Sequence, residues 1–224
     1  MKELAVVLVS GGVDSCVTAG IANKDYELAI LHVNYGQRTE QKELDSFNKI
    51  AEFYKVKHRL VCDFSWLGGI GGSSLTDLEM DVPVCRGLIN QTPTTYVAFR
   101  NANLLSAGVS WAEVIGAKKI FIGVVDQDAP GYPDTRPEFI QVFNELIRLG
   151  TKPNTHIEVL APLIDMQKYE VVRLGAELKV PFHLTWSCYK NNEQACGECG
   201  SCKRRQNAFE LAEIKDTIKY INHR

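Results

Sequence analysis

The stretch LVSGGVDSCV, residues 8–17, decides the fold of this chain. An apolar run over residues 4–9 leads into Ser10-Gly11-Gly12, and a helical pattern begins at Asp14. A strand that passes through a glycine turn into a helix is typical of phosphate-binding loops, because glycine lets the backbone approach an anion and the helix N-terminus favours negative charge. The stretch lacks the GxxxxGK[ST] pattern of the common P-loop, so no lysine is placed there to hold a γ-phosphate.

The loop offers several donors to a nucleotide. Its backbone N–H groups and the hydroxyls of Ser10 and Ser15 can bind the phosphates of ATP, and Asp14 either caps the helix or meets a magnesium ion. An isolated Gly-Gly pair would more often be a tight turn, but the whole hexapeptide at the end of the first strand favours nucleotide binding. The candidate ATP-binding residues are Leu8, Val9, Ser10, Gly11, Gly12, Val13, Asp14, Ser15, Cys16, Val17 and Thr18.

The bulk composition indicates an ordinary globular protein that binds neither nucleic acid nor membrane. The chain has 224 residues, 45% hydrophobic and 23% charged, with a net charge of −2. That charge provides no general attraction to nucleic acid or anionic lipid, and no apolar run approaches the roughly 18 residues that span a bilayer. The N-terminal apolar run leads directly into the phosphate loop, which predicts a core strand rather than a signal peptide. We therefore expect a cytoplasmic protein.

Short apolar runs alternate with helical patterns along the chain. This alternation predicts an α/β fold, a doubly wound, mostly parallel five-stranded sheet with helices on both faces. The predicted strands are 4–9, 28–33, 57–62, 120–125 and 156–160, and the predicted helices are 14–24, 38–54, 100–116, 137–149 and 166–179. Residues 63–95 are predicted to form a long loop. We divide the chain into an ATP-binding domain, 1–183, and a C-terminal appendage with a helix, 184–224.

Four cysteines cluster in the appendage. Cys188, Cys196, Cys199 and Cys202 follow a C-x7-C-x2-C-x2-C spacing, in which glycines permit tight turns between the sulfurs. Four thiolates in a reducing compartment suit a structural zinc ion, or less readily an iron–sulfur cluster. The neighbouring basic residues, 203–205, fit a solvated helix start better than a nucleic-acid contact.

The hexapeptide SGGVDS resembles the signature of the PP-loop ATP pyrophosphatases, which cleave ATP between the α and β phosphates and transfer AMP to a substrate oxygen. Further motifs narrow the resemblance to the 7-cyano-7-deazaguanine synthase family, and it covers nearly the whole chain. Thr135, Ala98 and Gly200 depart from the residues common in that family. The stretches that carry the resemblance are HVNYGQR (32–38), TTYVAFRN (94–101), DQDAPGYPDTRPEFI (126–140), PLIDMQKYEVVRLGAEL (162–178) and TWSCY to CGECGSC (185–202).

The resemblance implies an ATP-dependent carbon–nitrogen ligase with 7-carboxy-7-deazaguanine and ammonia as small-molecule substrates, magnesium accompanying ATP, and a homodimer. Lys168 would stabilise charge on the α-phosphate, and an acidic side chain such as Asp134 can accept from the N–H edge of a guanine-like base. Arginines suit the carboxylate or the phosphates. The candidate catalytic residues are Asp14, Ser15, Lys168 and Arg100, and the candidate substrate-binding residues are Arg100, Asn101, Tyr132, Asp134 and Arg136.

Two other functions stay open at this point. One is a PP-loop tRNA-modifying enzyme, of the thiolase or lysidine synthetase type. In a thiolase, Cys16 could carry sulfur, since a helix N-terminus can lower a thiol pKa. A buried structural Cys16 and the lack of a basic extension weigh against that function. A zinc-knuckle nucleic-acid-binding module is disfavoured by the net charge of −2.

Overall fold

The computed structural model describes residues 2–84, 92–125 and 131–221. Its strands form a five-stranded sheet in the order β3-β2-β1-β4-β5, and every pairing within it is parallel. The predicted doubly wound parallel sheet is confirmed. The strands are β1 (Leu4–Leu8), β2 (Glu27–Asn34), β3 (His58–Asp63), β4 (Lys119–Phe121) and β5 (Glu158–Leu160).

Helices cover both faces of the sheet. Successive side chains of a strand point to opposite faces, so Ala5 and Val7 of β1 join one apolar cluster while Val6 and Leu8 join another. The first cluster takes in residues of α1, α2, α6 and α7, and the second takes in residues of α4 and α5. The helices are α1 (Val13–Asp25), α2 (Glu40–Phe53), α3 (Ser65–Ile70), α4 (Arg100–Ile115), α5 (Pro137–Gly150), α6 (Lys168–Glu177) and α7 (Gly200–Leu211).

Two predicted segments differ from the structure. The long loop over 63–95 contains α3, whose Leu67 packs into a small apolar cluster with Tyr35, Leu75 and Val97. The fourth strand ends at Phe121 rather than at residue 125. Beyond this end the chain passes against the start of α1, where a Cβ on Gly123 would lie 2.8 Å from the carbonyl carbon of Asp14.

The strand order reverses between β1 and β4. The chain winds outward from β1 through β2 to β3 and then returns to place β4 on the other side of β1. The carboxyl ends of two such neighbouring strands diverge and leave a crevice, which is where ligands bind in open α/β sheets. The loop over residues 9–12 that follows β1 therefore lies at the crevice.

The C-terminal segment packs onto the sheet domain. Ala208 and Phe209 of α7 are buried in the first apolar cluster, and the ring of Phe209 lies 5.1 Å from that of Phe182. The division at residue 184 stays a prediction. Within the described ranges, no helix combines the length and the apolar composition that crossing a membrane requires.

Candidate active site

The phosphate loop is held in a conformation that requires glycine at position 11. Gly11 has φ +88°, and a Cβ there would lie 2.7 Å from the backbone oxygen of Glu43. The hydroxyls of Ser10 and Ser15 lie 3.1 Å apart, and Ser15 Oγ also donates to the carbonyl of Gly12 at 3.2 Å. The two serines thus bring their hydroxyls together at the mouth of α1, beside its unpaired N–H groups.

Lys168 reaches this loop from a distant part of the sequence. It is the first residue of α6, where a capping box between Gln167 and Glu170 sets the start of the helix. Its Nζ forms an ion pair with Oδ2 of Asp14. Among the residues described, Asp14 Oδ1 has no hydrogen-bond partner and is buried. A buried carboxylate oxygen in this state fits a cation ligand, so the site suits a magnesium ion bound with ATP.

A cavity of about 290 Å³ lies in front of this loop, at the crevice between β1 and β4. Its floor is apolar, with Leu31, Val33 and Ile122, and the phosphate loop and Lys168 form one side. The polar and aromatic residues on the remaining sides are Tyr35, Glu43, Arg100, Asn101, Tyr132, Thr135, Trp186, Ser187, Tyr189, Ser201, Arg204 and Arg205.

Arg100 enters the cavity from the start of α4. Its Nη1 donates to the hydroxyl of Tyr35 at 3.0 Å, and its Nε is buried with no partner among the described side chains and backbone. Burial opposes the charged form, but the surrounding Tyr35, Tyr189 and Asp134 outweigh it and raise the pKa of Arg100 above its usual value. Arg100 therefore stays a cation whose buried Nε–H group is available to bind an anion.

Asp134 and Arg136 differ in position although they are two residues apart. Asp134 is 3% exposed, and its Oδ2 accepts from the backbone N–H of Asn101 at 2.9 Å, which caps the start of α4. Asp134 Oδ1 is buried without a partner in the described part of the chain. Arg136 is exposed and does not line the cavity. The structure thus brings Arg100, Asn101 and Tyr132 to the cavity, places Asp134 behind Asn101 and leaves Arg136 outside. Residues 126–130 of this motif lie outside the described residues.

The sequence pattern missed the wall that the C-terminal segment contributes. Arg205 is 2% exposed and forms a two-point ion pair with Asp216, at 2.8 and 2.9 Å. Its Nη1 also donates to Thr185 Oγ1 at 2.9 Å. The interpretation of residues 203–205 as a solvated helix start is therefore wrong for Arg205. Nothing in the local pattern indicates this, because Asp216 lies beyond the end of the helix that carries Arg205.

The four clustered cysteines converge on one point. Their sulfurs all lie within 4.8 Å of one another, and all four residues are buried. Backbone N–H groups of Lys190, Asn191 and Cys196 point at Cys188 Sγ at 3.3 to 3.4 Å. Such N–H groups favour a thiolate over a thiol. A closed set of four soft sulfur donors fits a metal ion in a structural role.

Cys16 lies just behind the phosphate loop but is not poised for chemistry. It is fully buried, and burial raises the pKa of its thiol to about 12, with only partial compensation from the charge of Arg205. A thiol in this state is protonated at neutral pH and is a poor nucleophile. The environment of Cys16 therefore speaks against the sulfur-carrying function considered above.

A parallel sheet with a glycine-serine phosphate loop at its switch point, and a four-cysteine cluster beside it, defines an α/β protein of the PP-loop class. The family model described as "Queuosine biosynthesis protein QueC" matches residues 4–213. The chain belongs to this family. The predicted resemblance is confirmed.

Curated relatives match over nearly their full length. The chain is 58% identical over 217 residues to "7-cyano-7-deazaguanine synthase" from Chloroherpeton thalassium, covering 96% of each chain. It is 56% identical to the protein of the same name from Chlorobium chlorochromatii, covering 96% of this chain and 95% of that one. Among solved structures, NMN synthetase from Francisella tularensis matches with a TM-score of 0.50 and 11% identity, covering 96% of this chain and 78% of that one. This last likeness supports the fold alone.

Proposed function

We propose that the chain is an ATP-dependent ligase that converts 7-carboxy-7-deazaguanine and ammonia to 7-cyano-7-deazaguanine. The observation that carries the proposal is the identity of 58% to a synthase of that name over 96% of both chains. The site supports it, because the phosphate loop, Lys168 and Arg100 line one cavity. A planar base and an adenylated group on it can both be enclosed there.

The proposed reaction uses ATP twice at the same loop. The carboxylate oxygen attacks the α-phosphorus, pyrophosphate leaves, and ammonia then displaces AMP to give the amide. A second ATP activates the amide oxygen, and loss of AMP with the N–H protons leaves the nitrile. Ser10, Ser15 and the N–H groups at the start of α1 hold the leaving pyrophosphate, and Lys168 offsets charge on the α-phosphate. A magnesium ion bound at Asp14 would neutralise phosphate charge.

The remaining cavity residues would hold the deazaguanine. Tyr132 supplies an aromatic face, and Arg100 offers its unpartnered Nε to the carboxylate. Asp134 lies behind Asn101, and its unpartnered Oδ1 is a hydrogen-bond acceptor. It would accept from the N–H edge of the base either through a bridging water or after Asn101 moves aside. Arg136, which lies on the exposed side, would contribute only through a rearrangement of its loop.

The cysteine cluster would hold a structural zinc, because four thiolates leave no coordination position for water or substrate. A homodimer is supported by an apolar stripe on α5, where Val142, Leu146 and Leu149 are exposed at helical spacing. We also propose that the protein acts in the cytoplasm on small molecules, without nucleic-acid or membrane partners.

Product analysis tests the proposed function. The protein is incubated with ATP, magnesium, ammonium and 7-carboxy-7-deazaguanine, and mass spectrometry follows the acid, amide and nitrile. We expect the amide when ATP is limiting, the nitrile when it is in excess, and AMP with pyrophosphate throughout. Ser15→Ala should slow both half-reactions, since both use one loop. ADP with inorganic phosphate, or an untouched acid, would contradict the proposal.

A further inference from the structure

Glu43 is a cavity residue that the proposed reaction has not yet used. It lies in the first part of α2, and its backbone oxygen packs against the phosphate loop, so close that a Cβ on Gly11 would lie 2.7 Å from it. Its carboxylate accepts from Thr39 Oγ1 at 2.7 Å and from Gln37 Nε2 at 3.1 Å. Thr39 and Gln37 are themselves buried. These contacts fix the carboxyl group beside the loop that holds ATP.

The rest of the cavity offers few other proton acceptors. Among the described residues that line it, Asp14 and Glu43 carry carboxyl groups, and none carries an imidazole or a thiol. Asp14 is committed to its ion pair with Lys168. Each carboxylate oxygen of Glu43 accepts one of the two hydrogen bonds above and has a further lone pair.

We propose that Glu43 is the general base that takes the proton from ammonia during amide formation. This inference rests on the proposed function, which supplies the adenylated acid. The ammonia nitrogen forms the C–N bond while the C–O bond to AMP breaks. AMP leaves with the electron pair of that bond, and the surplus proton on nitrogen passes to the Glu43 carboxylate. The proton goes to solvent before the next turnover, so the step needs no further reactant.

The surroundings of Glu43 suit this role. The pKa of Glu43 is raised to about 7, because burial outweighs the hydrogen bonds from Thr39 and Gln37 and the charge of Arg100 on α4, which lower it. Glu40 on the same helix adds a small increase, and the neutral phenol of Tyr35 faces the carboxylate from the loop after β2. A base whose pKa lies near the working pH accepts a proton more readily than an ordinary glutamate and still releases it.

The test compares two nucleophiles on the same adenylate. Both nucleophiles lose a proton on attack. Hydroxylamine is mostly neutral at neutral pH and is the better nucleophile, whereas ammonia is mostly ammonium there, so hydroxylamine depends less on a base. For Glu43→Gln we expect aminolysis by ammonia to fall about 100-fold, with hydroxamate formation falling far less. At a fixed concentration of free NH3, the wild-type rate should rise as pH increases through about 7, and the variant should lack that rise.

Three controls make the outcome decisive. Glu52→Gln lies on the exposed side of the same helix and should match the wild type. Glu43→Asp keeps the base and should retain the pH dependence at a reduced rate; it carries the test if the E43Q variant does not fold. Acid-dependent exchange of pyrophosphate into ATP reports adenylation alone. Equal losses of exchange, aminolysis and hydroxamate formation would show a structural role and overturn the inference, as would unchanged aminolysis in E43Q. Absence of exchange in the wild type would refute the proposed function and this inference with it.

Discussion

Two walls of the same cavity are built in opposite ways. The phosphate-loop wall is a continuous stretch, residues 8–15, between a buried strand and a buried helix. The second wall comes from Trp186, Ser187, Ser201 and Arg204, which lie within or next to the cysteine cluster in the sequence. A continuous wall is held by the apolar core of the sheet. The other wall has a small core of seven buried residues, four of them the clustered cysteines. Its order therefore depends on polar contacts and on the metal proposed for the four sulfurs.

A short seam joins the two walls. The backbone N–H of Trp186 donates to the carbonyl of Gly11 at 2.8 Å. Anything that displaces the C-terminal wall therefore removes a contact from the phosphate loop itself. The phosphate-loop wall is held by the apolar core of the sheet, whereas the C-terminal wall depends on contacts around the cysteine cluster. Substitutions in the two walls should therefore have different effects on stability and activity.

Metal removal should produce the largest effect and should act through the C-terminal wall. Structural zinc in small motifs contributes about 10–16 kcal/mol of apparent binding free energy, which exceeds or matches a typical folding stability of about 5–15 kcal/mol. We expect Cys199→Ala to lose about one equivalent of bound zinc and to lower the thermal midpoint strongly. Metal analysis and thermal melts check this, with Cys62→Ala, outside the cluster, as the matched control. If removal of the metal by a chelator left the thermal midpoint unchanged, the C-terminal wall would not depend on metal and the proposed difference between the two walls would be wrong.

Arg205→Met should have the next largest effect, on stability. The substitution leaves the Asp216 carboxylate, whose side chain is 11% exposed, without its ion-pair partner, and the loss of one partner of a buried pair costs about 3–5 kcal/mol. Burial raises the pKa of Asp216, but the hydrogen bonds and charge of Arg205 outweigh it and hold that pKa below its usual value. The stabilisation is thus present above about pH 4 and is lost as pH falls through the depressed pKa.

Denaturant unfolding at several pH values measures this prediction. The difference between wild type and Arg205→Met should shrink in acid, since Asp216 is then protonated in both. Lys203→Met is the matched control, because Lys203 is an exposed residue in the same turn of α7. An equal loss of stability in both variants would indicate that helix propensity, and not the buried pair, holds the wall.

Lys168→Met should affect activity and leave the fold intact. Removing one preorganised charge from a site of phosphate transfer typically costs about 10²–10³ in turnover, or about 2.7–4 kcal/mol. The ion pair with Asp14 is 20–25% exposed, so its loss should cost the fold little. Steady-state release of AMP and a thermal melt check the two halves of this prediction, with the exposed Lys24→Met as control. A strongly lowered melting temperature would show that Lys168 stabilises the phosphate-loop wall rather than taking part in the chemistry.

The same contrast explains what the sequence could predict. The phosphate loop was predictable because local signals suffice there: a continuous apolar run, glycines at the turn and a helical pattern directly after it. The cysteine cluster was predictable from spacing alone. Both follow from residues that lie close together in the sequence. The structure shows the strand, loop and helix in that order and brings the four sulfurs together, while ATP binding by the loop stays a prediction.

The cavity's other residues depend on contacts across the chain. Arg205 finds Asp216 eleven positions away and outside its own helix, so its local pattern was that of a solvated basic trio. From the sequence alone, Glu43 is an ordinary charged residue on a helix. Only the packing of α2 against Gly11 places it at the site. Arg136 shows the converse, because a charged residue inside a specific motif lies on the exposed side. Short-range sequence patterns cannot tell the buried Arg205 from the exposed Arg136. The burial of each side chain depends on which distant segments pack against it in the folded chain.

The smallest expected effect concerns Cys16. It tests whether the thiol behind the phosphate-loop wall can act as a nucleophile. A pKa of about 12 leaves roughly one thiolate in 10⁴ at pH 8, and the side chain is fully buried. We therefore expect no measurable alkylation of Cys16 by iodoacetamide in the folded protein, with or without ATP. Cys62 on β3 is partly exposed and serves as the internal reference, and peptide mapping by mass spectrometry compares the two. Labelling of Cys16 at the rate of Cys62 would mean that the loop opens in solution. It would also restore the sulfur-carrying function, because an accessible thiol at a helix N-terminus is what that chemistry requires.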